Sequence, residues 1–205
     1  MNTGDEVSGR PEIARYVAPN PSPMTLGGTN TYLVGRDPSF VIDPGPAIPS
    51  HVASIRAEAN RRGGIGGILL THSHFDHSEA VGGLDAPLLW GEPATEDEAA
   101  ALTAAQEHLH DALRDGEQPG GKPAAAPDGA SSRLAESAVG PFTVVPTPGH
   151  AADHVAFIWG DVCFCGDLIL GEGSSIVPPN AGGGSLHDYL GSLRRLAKLD
   201  IGLMY

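Results

Sequence analysis

Hydrophobic and polar positions along the chain alternate in two blocks, each a run of short strands with amphipathic helices between or after them. In the first block, residues 27–34 and 40–42 read as two strands joined by the turn Gly35-Arg-Asp-Pro-Ser39, with Asp43 ending the second strand. Residues 49–62 carry Val52, Ile55 and Ala59 at helical spacing, place Arg56, Glu58, Arg61 and Arg62 mostly on other faces, and stop at Gly63-Gly64, the pattern of an amphipathic helix. The apolar run Ile68-Leu69-Leu70 is a strand, Ser78-Glu-Ala-Val81 begins a short helix ended by Gly82-Gly83, and Pro87-Leu-Leu-Trp90 is a further strand. Residues 92–115 read as a helix with Leu102, Leu109 and Leu113 on one face; His108 and His110, two apart on it, do not meet.

The second block opens with the strand Phe142-Thr-Val-Val-Pro146, followed by a hairpin of 155–159 and 161–165 around Gly160. Leu186, Leu190, Leu193 and Ala197 then mark a helical face with Tyr189 and Leu196 nearby, and Ile201-Gly-Leu-Met-Tyr205 is a last apolar strand. Two stretches stand outside this alternation. Residues 1–23 hold four prolines and little to bury, and are expected to be a loose lead-in or one edge strand. Residues 116–132, rich in Pro, Gly, Ala and Ser, are expected to be a flexible insertion whose removal costs little stability. Residues 24–205 are thus expected to form one α/β domain with chemistry on its loops, a size that 205 residues allow.

Charge and cysteine usage narrow the class. Lys and Arg number 12 against 25 Asp and Glu, and the net charge of −13 offers no general attraction to phosphate backbones or anionic membranes. With neither a signal-peptide pattern nor a long apolar run, the expectation is a cytoplasmic chain with no membrane partner; the oligomeric state is left open. Cys163 and Cys165, separated by one residue on a predicted strand, are expected to face opposite ways and to remain thiols.

The chemistry concentrates in Thr71-His-Ser-His-Phe-Asp-His77, which puts four metal-capable side chains, His72, His74, Asp76 and His77, at the end of an apolar strand. Alternate residues of an extended segment share a face, so His72 and His74 can meet one cation while the turn offers Asp76 and His77 to another. Asp43 in Phe40-Val-Ile-Asp-Pro-Gly45, His150 in Thr147-Pro-Gly-His150 and Asp167 in Cys165-Gly-Asp167 are the other candidates. On sequence alone Asp43 is equally a turn former before Pro44-Gly45 and a residue that supports a metal ligand.

Taken together, these segments resemble the ligand signature of the metallo-β-lactamase superfamily of hydrolases, from about Gly28 to the last residue. The resemblance implies a four-layer αββα sandwich with metals at one edge. It implies that His72, His74 and His150 hold a first metal, that Asp76 and His77 belong to a second, and that Asp167 bridges the two. Asp76 would also orient a hydroxide bridged by the metals, with Asp43 and His154 supporting from behind. Two zinc ions are expected, with manganese or iron as alternatives. The implied activity is hydrolysis of an ester, thioester or phosphodiester, with a small molecule or RNA as substrate. A mononuclear iron oxygenase and a non-catalytic metal-binding protein are the rivals, the first disfavoured by the intact Asp76-His77 pair.

Thr147-Pro-Gly-His-Ala-Ala-Asp-His154, Leu168-Ile-Leu-Gly-Glu-Gly-Ser174 and the segment Leu186-His-Asp-Tyr-Leu190 are similar to the β-lactamase-like protein 2 group, whose members include an endoribonuclease; His154 and Glu172 match that group's pattern. One superfamily element is absent: a final histidine ligand expected just after a strand like 201–205. The sequence is therefore expected to be a fragment truncated at its C-terminal end, with a weaker second metal and a frayed strand at Leu203.

Overall fold

The computed structural model describes residues 5–7, 9–92, 137–179 and 183–205. The helix expected over 92–115, apart from its first residue, and all of the insertion expected over 116–132 lie outside them. The chain divides into two compact units, Met1–Ala94 and Thr95–Tyr205, each built on its own sheet.

The first unit contains a six-stranded sheet in the order β1 (Asp5–Val7), β2 (Arg10–Val17), β3 (Asn30–Val34), β4 (Ser39–Ile42), β5 (Ile65–Leu69) and β6 (Leu88–Trp90). The first four strands pair antiparallel, and β4, β5 and β6 pair parallel. β2 corrects the expectation of a loose lead-in. It lies between β1 and β3, and Ile13, Ala14 and Tyr16 are buried. The prolines that suggested an unstructured start fall outside its paired core, since Pro11 sits near the beginning of β2 and Pro19 lies beyond its end.

Helix α1 (Pro49–Arg61) forms where the periodicity placed it, with Pro in its first turn, where the missing N–H costs no helical bond. Ile55 and Ala59 join Ala14, Tyr16, Leu33, Val41 and Ile68 in the core, with Val52 packed against them. The burying face also takes His51, which the apolar pattern could not show. Arg62, expected at the surface, is 1% exposed. Its guanidinium donates to Glu58 Oε1 at 2.6 Å, to the Glu12 carbonyl at 2.8 Å and to the Gly35 and Pro11 carbonyls at 3.3 Å each. A buried cation is tolerated when its donors are filled in this way, and here it ties the end of α1 to the start of β2 and the end of β3. Burial works to raise the Glu58 pKa, and its hydrogen bonds to Arg62 and Arg61 outweigh that and hold it below its ordinary value.

In the second unit the order is β11 (Leu203–Met204), β10 (Val162–Phe164), β9 (Val155–Trp159), β8 (Phe142–Pro146), β7 (Ser137–Val139). Helix α3 (Leu186–Leu196) covers a cluster of Val145, Ala156, Cys163, Cys165, Leu168 and Leu196, with Tyr189 and Leu193 packed against it. The buried stripe of α3 is rotated from the expected one: Leu186 and Leu190 are 63% and 42% exposed. The helix starts from Ser185, whose side chain accepts from the Asp188 N–H as an N-cap.

Both cysteines are buried thiols in that one cluster, which corrects the opposite-facing expectation, because residues two apart on a strand share a face. Burial pushes the Cys163 thiol up to about 12 and the Cys165 thiol to about 11. Cys165 Sγ donates to the Tyr205 carbonyl at 3.0 Å. The last strand is not frayed. Leu203 and Met204 pair with Val162 and Cys163, and the Tyr205 N–H donates to the Cys163 carbonyl at 2.8 Å. Among the described residues no helix is long and apolar enough to cross a membrane.

Candidate metal centre

In the first unit, β4 and β5 run parallel and therefore end at the same edge of the sheet. β4 delivers Asp43 there, and β5 continues through Leu70 and Thr71 to His72. The Asp43 N–H donates to the Leu69 carbonyl at 2.9 Å, which fixes the register between the two strand ends. Asp43 itself turns into the left-handed region, φ 49°, a conformation that Asp tolerates better than most residues. Gly45, φ 83°, then closes the turn against the following helix: its N–H donates to the His77 carbonyl, and its own carbonyl accepts from the Ala80 N–H. A Cβ at this position would stand 2.9 Å from His51 Nε2, so glycine is required for space as well as for conformation.

Helix α2 (Phe75–Ser78) begins three residues earlier than the sequence suggested, so Asp76 and His77 sit within its turn rather than ahead of it, and a 3-10 turn, Glu79–Gly83, follows. His72 and His74 lie with ring centroids 4.4 Å apart, and His72 and His77 with theirs 4.3 Å apart. The structure thus gathers His72, His74 and His77 at the end of β5.

The Asp43 carboxylate is buried behind them. Its Oδ1 accepts from the Thr71 N–H at 2.8 Å, and its Oδ2 accepts from the Thr71 hydroxyl at 2.7 Å and from His77 Nδ1 at 2.9 Å. These bonds decide the tautomers. A carboxylate only accepts, so His77 carries its proton on Nδ1. The Thr71 hydroxyl hydrogen is given to Asp43, so in its 3.0 Å contact with His72 Nδ1 the histidine is the donor. In the neutral form both rings therefore present the Nε2 lone pair, the atom a metal would take. Of the two readings left open for Asp43, its hydrogen bonds favour support of the ligands. Thr71 was not singled out as a support residue in the sequence.

The second unit repeats the logic. β8 and β10 are both antiparallel to β9, so they run in the same direction, and their ends carry His150 and Asp167. His150 Nδ1 meets the Ile176 carbonyl at 2.7 Å; since a carbonyl only accepts, Nδ1 donates, and in the neutral ring Nε2 carries the lone pair. His154 is fully buried, with Nδ1 2.8 Å from the Thr147 hydroxyl, and the Thr147 N–H donates to the His154 carbonyl. It anchors the loop that carries His150. Glu172 is exposed.

Helix α3 holds both ligand loops. The Ser192 hydroxyl donates to the Pro148 carbonyl at 2.7 Å, the Tyr189 hydroxyl to the Leu168 carbonyl at 2.8 Å, and the Ser185 N–H to the Gly149 carbonyl at 2.8 Å. Gly149, φ 144°, lies so close to the helix that a Cβ would stand 2.3 Å from the Tyr189 Cα. The Ser175 hydroxyl also donates to the Asp167 carbonyl.

Each unit holds one pair of candidate ligand atoms at a separation that a single cation would accept. Zinc bonds of roughly 2.0–2.2 Å in a tetrahedron put neighbouring ligand atoms about 3.3–3.6 Å apart. Asp76 Oδ2 stands 3.5 Å from His77 Nε2, and Asp167 Oδ2 stands 3.5 Å from His150 Nε2.

A sequence model described as the metallo-beta-lactamase superfamily matches residues 24–205. The chain belongs to that superfamily. Within it, the chain is 31% identical over 209 residues to the beta-lactamase-like protein 2 homolog of Caenorhabditis elegans, covering 94% of this chain and 60% of that protein. It is 32% identical over 197 residues to thioesterase pkgB of Emericella nidulans, covering 94% of this chain and 49% of the relative. Among solved structures, TTHA1623 in a di-iron-bound form superposes with a TM-score of 0.55 at 26% identity, over 93% of this chain and 90% of that one. The chain spans about half the length of the curated relatives it matches. Its α/β architecture with two sheets is that of the metallo-β-lactamase fold.

Proposed function

We propose that the chain carries the metal-dependent hydrolytic site of a protein that cleaves an ester, thioester or phosphodiester bond. The observation that carries this reading is the shared orientation of His72, His77 and His150: each ring commits Nδ1–H to a protein acceptor, so in the neutral ring Nε2 is the atom a cation would take. In this reading His72, His74 and His150 hold one ion, Asp76 and His77 hold a second, and Asp167 serves both. Divalent cations held there would lower the pKa of water from 15.7 toward about 7 and polarise the bond under attack.

The protein's own residues do the rest. Asp43 keeps His77 and, through Thr71, His72 in the tautomers that bind. The Ile176 carbonyl does the same for His150. Asp76, about a quarter exposed, would orient the attacking hydroxide as well as bind metal. Neither cysteine is suited to act as a nucleophile, since both are buried with their pKa values raised well above neutrality. Zinc is the metal proposed first; iron is kept as the alternative by the di-iron form of TTHA1623. The thioesterase name of one relative favours a thioester among the candidate substrates, and the similarity to a beta-lactamase-like protein 2 homolog keeps RNA as the second.

The test is a panel of thioester, lactone, β-lactam and RNA substrates offered to the zinc-, manganese- and iron-loaded protein. The expected result is metal-dependent turnover of at least one class, removed by a chelator and by His72→Ala or His150→Ala. Turnover unaffected by either substitution would overturn the proposal.

A further inference from the structure

The Asp76 carboxylate is gripped from a part of the chain that the ligand signature does not include. The Thr29 hydroxyl donates to Asp76 Oδ2 at 2.8 Å, across 47 residues of sequence. Thr29 is 5% exposed. It is itself held by Asn20, whose Oδ1 accepts from the Thr29 N–H at 3.0 Å and whose Nδ2 donates to Thr29 Oγ1 at 3.2 Å.

The pairing fixes the direction of every hydrogen. Because Asn20 Oδ1 must face the Thr29 N–H, its amide nitrogen faces Oγ1; the hydroxyl accepts there, and its one hydrogen is left for Asp76. The loop from 18 to 29 is closed at its neck by the Ala18 N–H to Thr29 carbonyl bond of 2.8 Å. Asn20 is further tied by the Thr25 hydroxyl, which donates to the Asn20 carbonyl. Thr29 is therefore a fixed donor on a fixed frame.

The oxygen it fixes matters. Oδ2 is the Asp76 atom that stands 3.5 Å from His77 Nε2, the separation expected of two atoms sharing one cation. We propose that Thr29, oriented by Asn20, is a positioning residue for the second metal: it holds Asp76 Oδ2 beside His77 Nε2 and sets both the affinity of that site and the aim of the carboxylate during turnover. The proposal rests on the reading that Asp76 and His77 hold a metal ion.

The variants that test it are Thr29→Val, which removes the hydroxyl at nearly constant volume, Thr29→Ser, which keeps it, and Asn20→Ala, which leaves the hydroxyl without its orienting partner. Each is titrated with cobalt(II) and with zinc, the ions being followed by cobalt absorption and by competition with a chelator, beside thermal unfolding of the metal-free chains. The expected result for Thr29→Val is a second-ion affinity about 10–100-fold weaker, with the first ion unchanged, an altered cobalt spectrum for the second site and a metal-free Tm close to wild type. Thr29→Ser should restore the affinity and the spectrum, and Asn20→Ala should fall between. On whichever substrate the protein turns over, Thr29→Val should lower kcat more than it raises KM.

A merely structural role would lower the metal-free Tm and weaken both ions alike, and that result overturns the proposal. Wild-type affinity for both ions in Thr29→Val also overturns it while leaving the two-metal reading intact. A wild-type chain that takes up a single ion even at high metal concentration would overturn both.

Discussion

Asp43 shows how much of the site depends on one buried side chain. Its two oxygens receive three donors, two from Thr71 and one from His77. Asp43→Asn keeps the shape, yet an amide has one accepting atom and one donating group, so in either orientation a donor faces a donor. The expected outcome is a roughly 10–100-fold loss of metal affinity, measured by chelator competition. Undiminished affinity would mean that the hydrogen bonds do not hold the ligands.

Behind Asp43 stands His51. The Thr31 hydroxyl gives its hydrogen to the Asp43 carbonyl at 2.7 Å, so in its 3.0 Å contact with His51 Nε2 the ring must donate. Burial pushes the His51 pKa below its ordinary 6.5, with the Pro44 carbonyl pulling the other way. Between the lowered value and 6.5 the unfolded chain binds more protons than the folded one, so this residue makes stability fall as pH drops below about 6.5. His51→Gln should flatten that part of the curve of unfolding free energy against pH. An unchanged slope would show that His51 is not held neutral by the fold. Neither His51 nor Thr31 carries a signal in the sequence, because the contacts that give them a role join residues 12 and 20 positions apart.

At the scale of elements, the parts legible in the sequence were those whose pattern is local. β3, β4, α1, β8, and the hairpin of β9 and β10 all formed close to where alternation or helical spacing put them. The six ligand candidates sit at strand ends or in the turns that follow, as their positions after apolar runs implied. What was not legible depends on partners far along the chain. β2 looked weak beside its prolines and becomes a core strand through pairing with both β1 and β3. The buried stripe of α3 is set by the carbonyls it must reach, Pro148 and Leu168, which favours Ser192 and Tyr189 over the more apolar Leu186 and Leu190.

Arg62 is the same lesson with an energy attached. Glu58→Ala would leave its buried guanidinium without a carboxylate, and the expected cost is about 3–5 kcal/mol in denaturant unfolding. A loss under about 1 kcal/mol, the size of a surface pair, would show that the backbone carbonyls suffice.

For the molecule as a whole, the proposed ligands are divided between the units: His72, His74, Asp76 and His77 lie in the first, His150 and Asp167 in the second. A metal bound only by the folded chain should stabilise it, by about 2.7 kcal/mol at a free concentration one hundred times Kd. The most direct measurement is a calorimetric zinc titration of the wild-type chain beside His72→Ala and His150→Ala, one substitution in each unit. The account predicts that either substitution alone removes the same tight ion, because the proposed function assigns that ion to both histidines. Retention of that ion at full affinity in either variant would contradict the account.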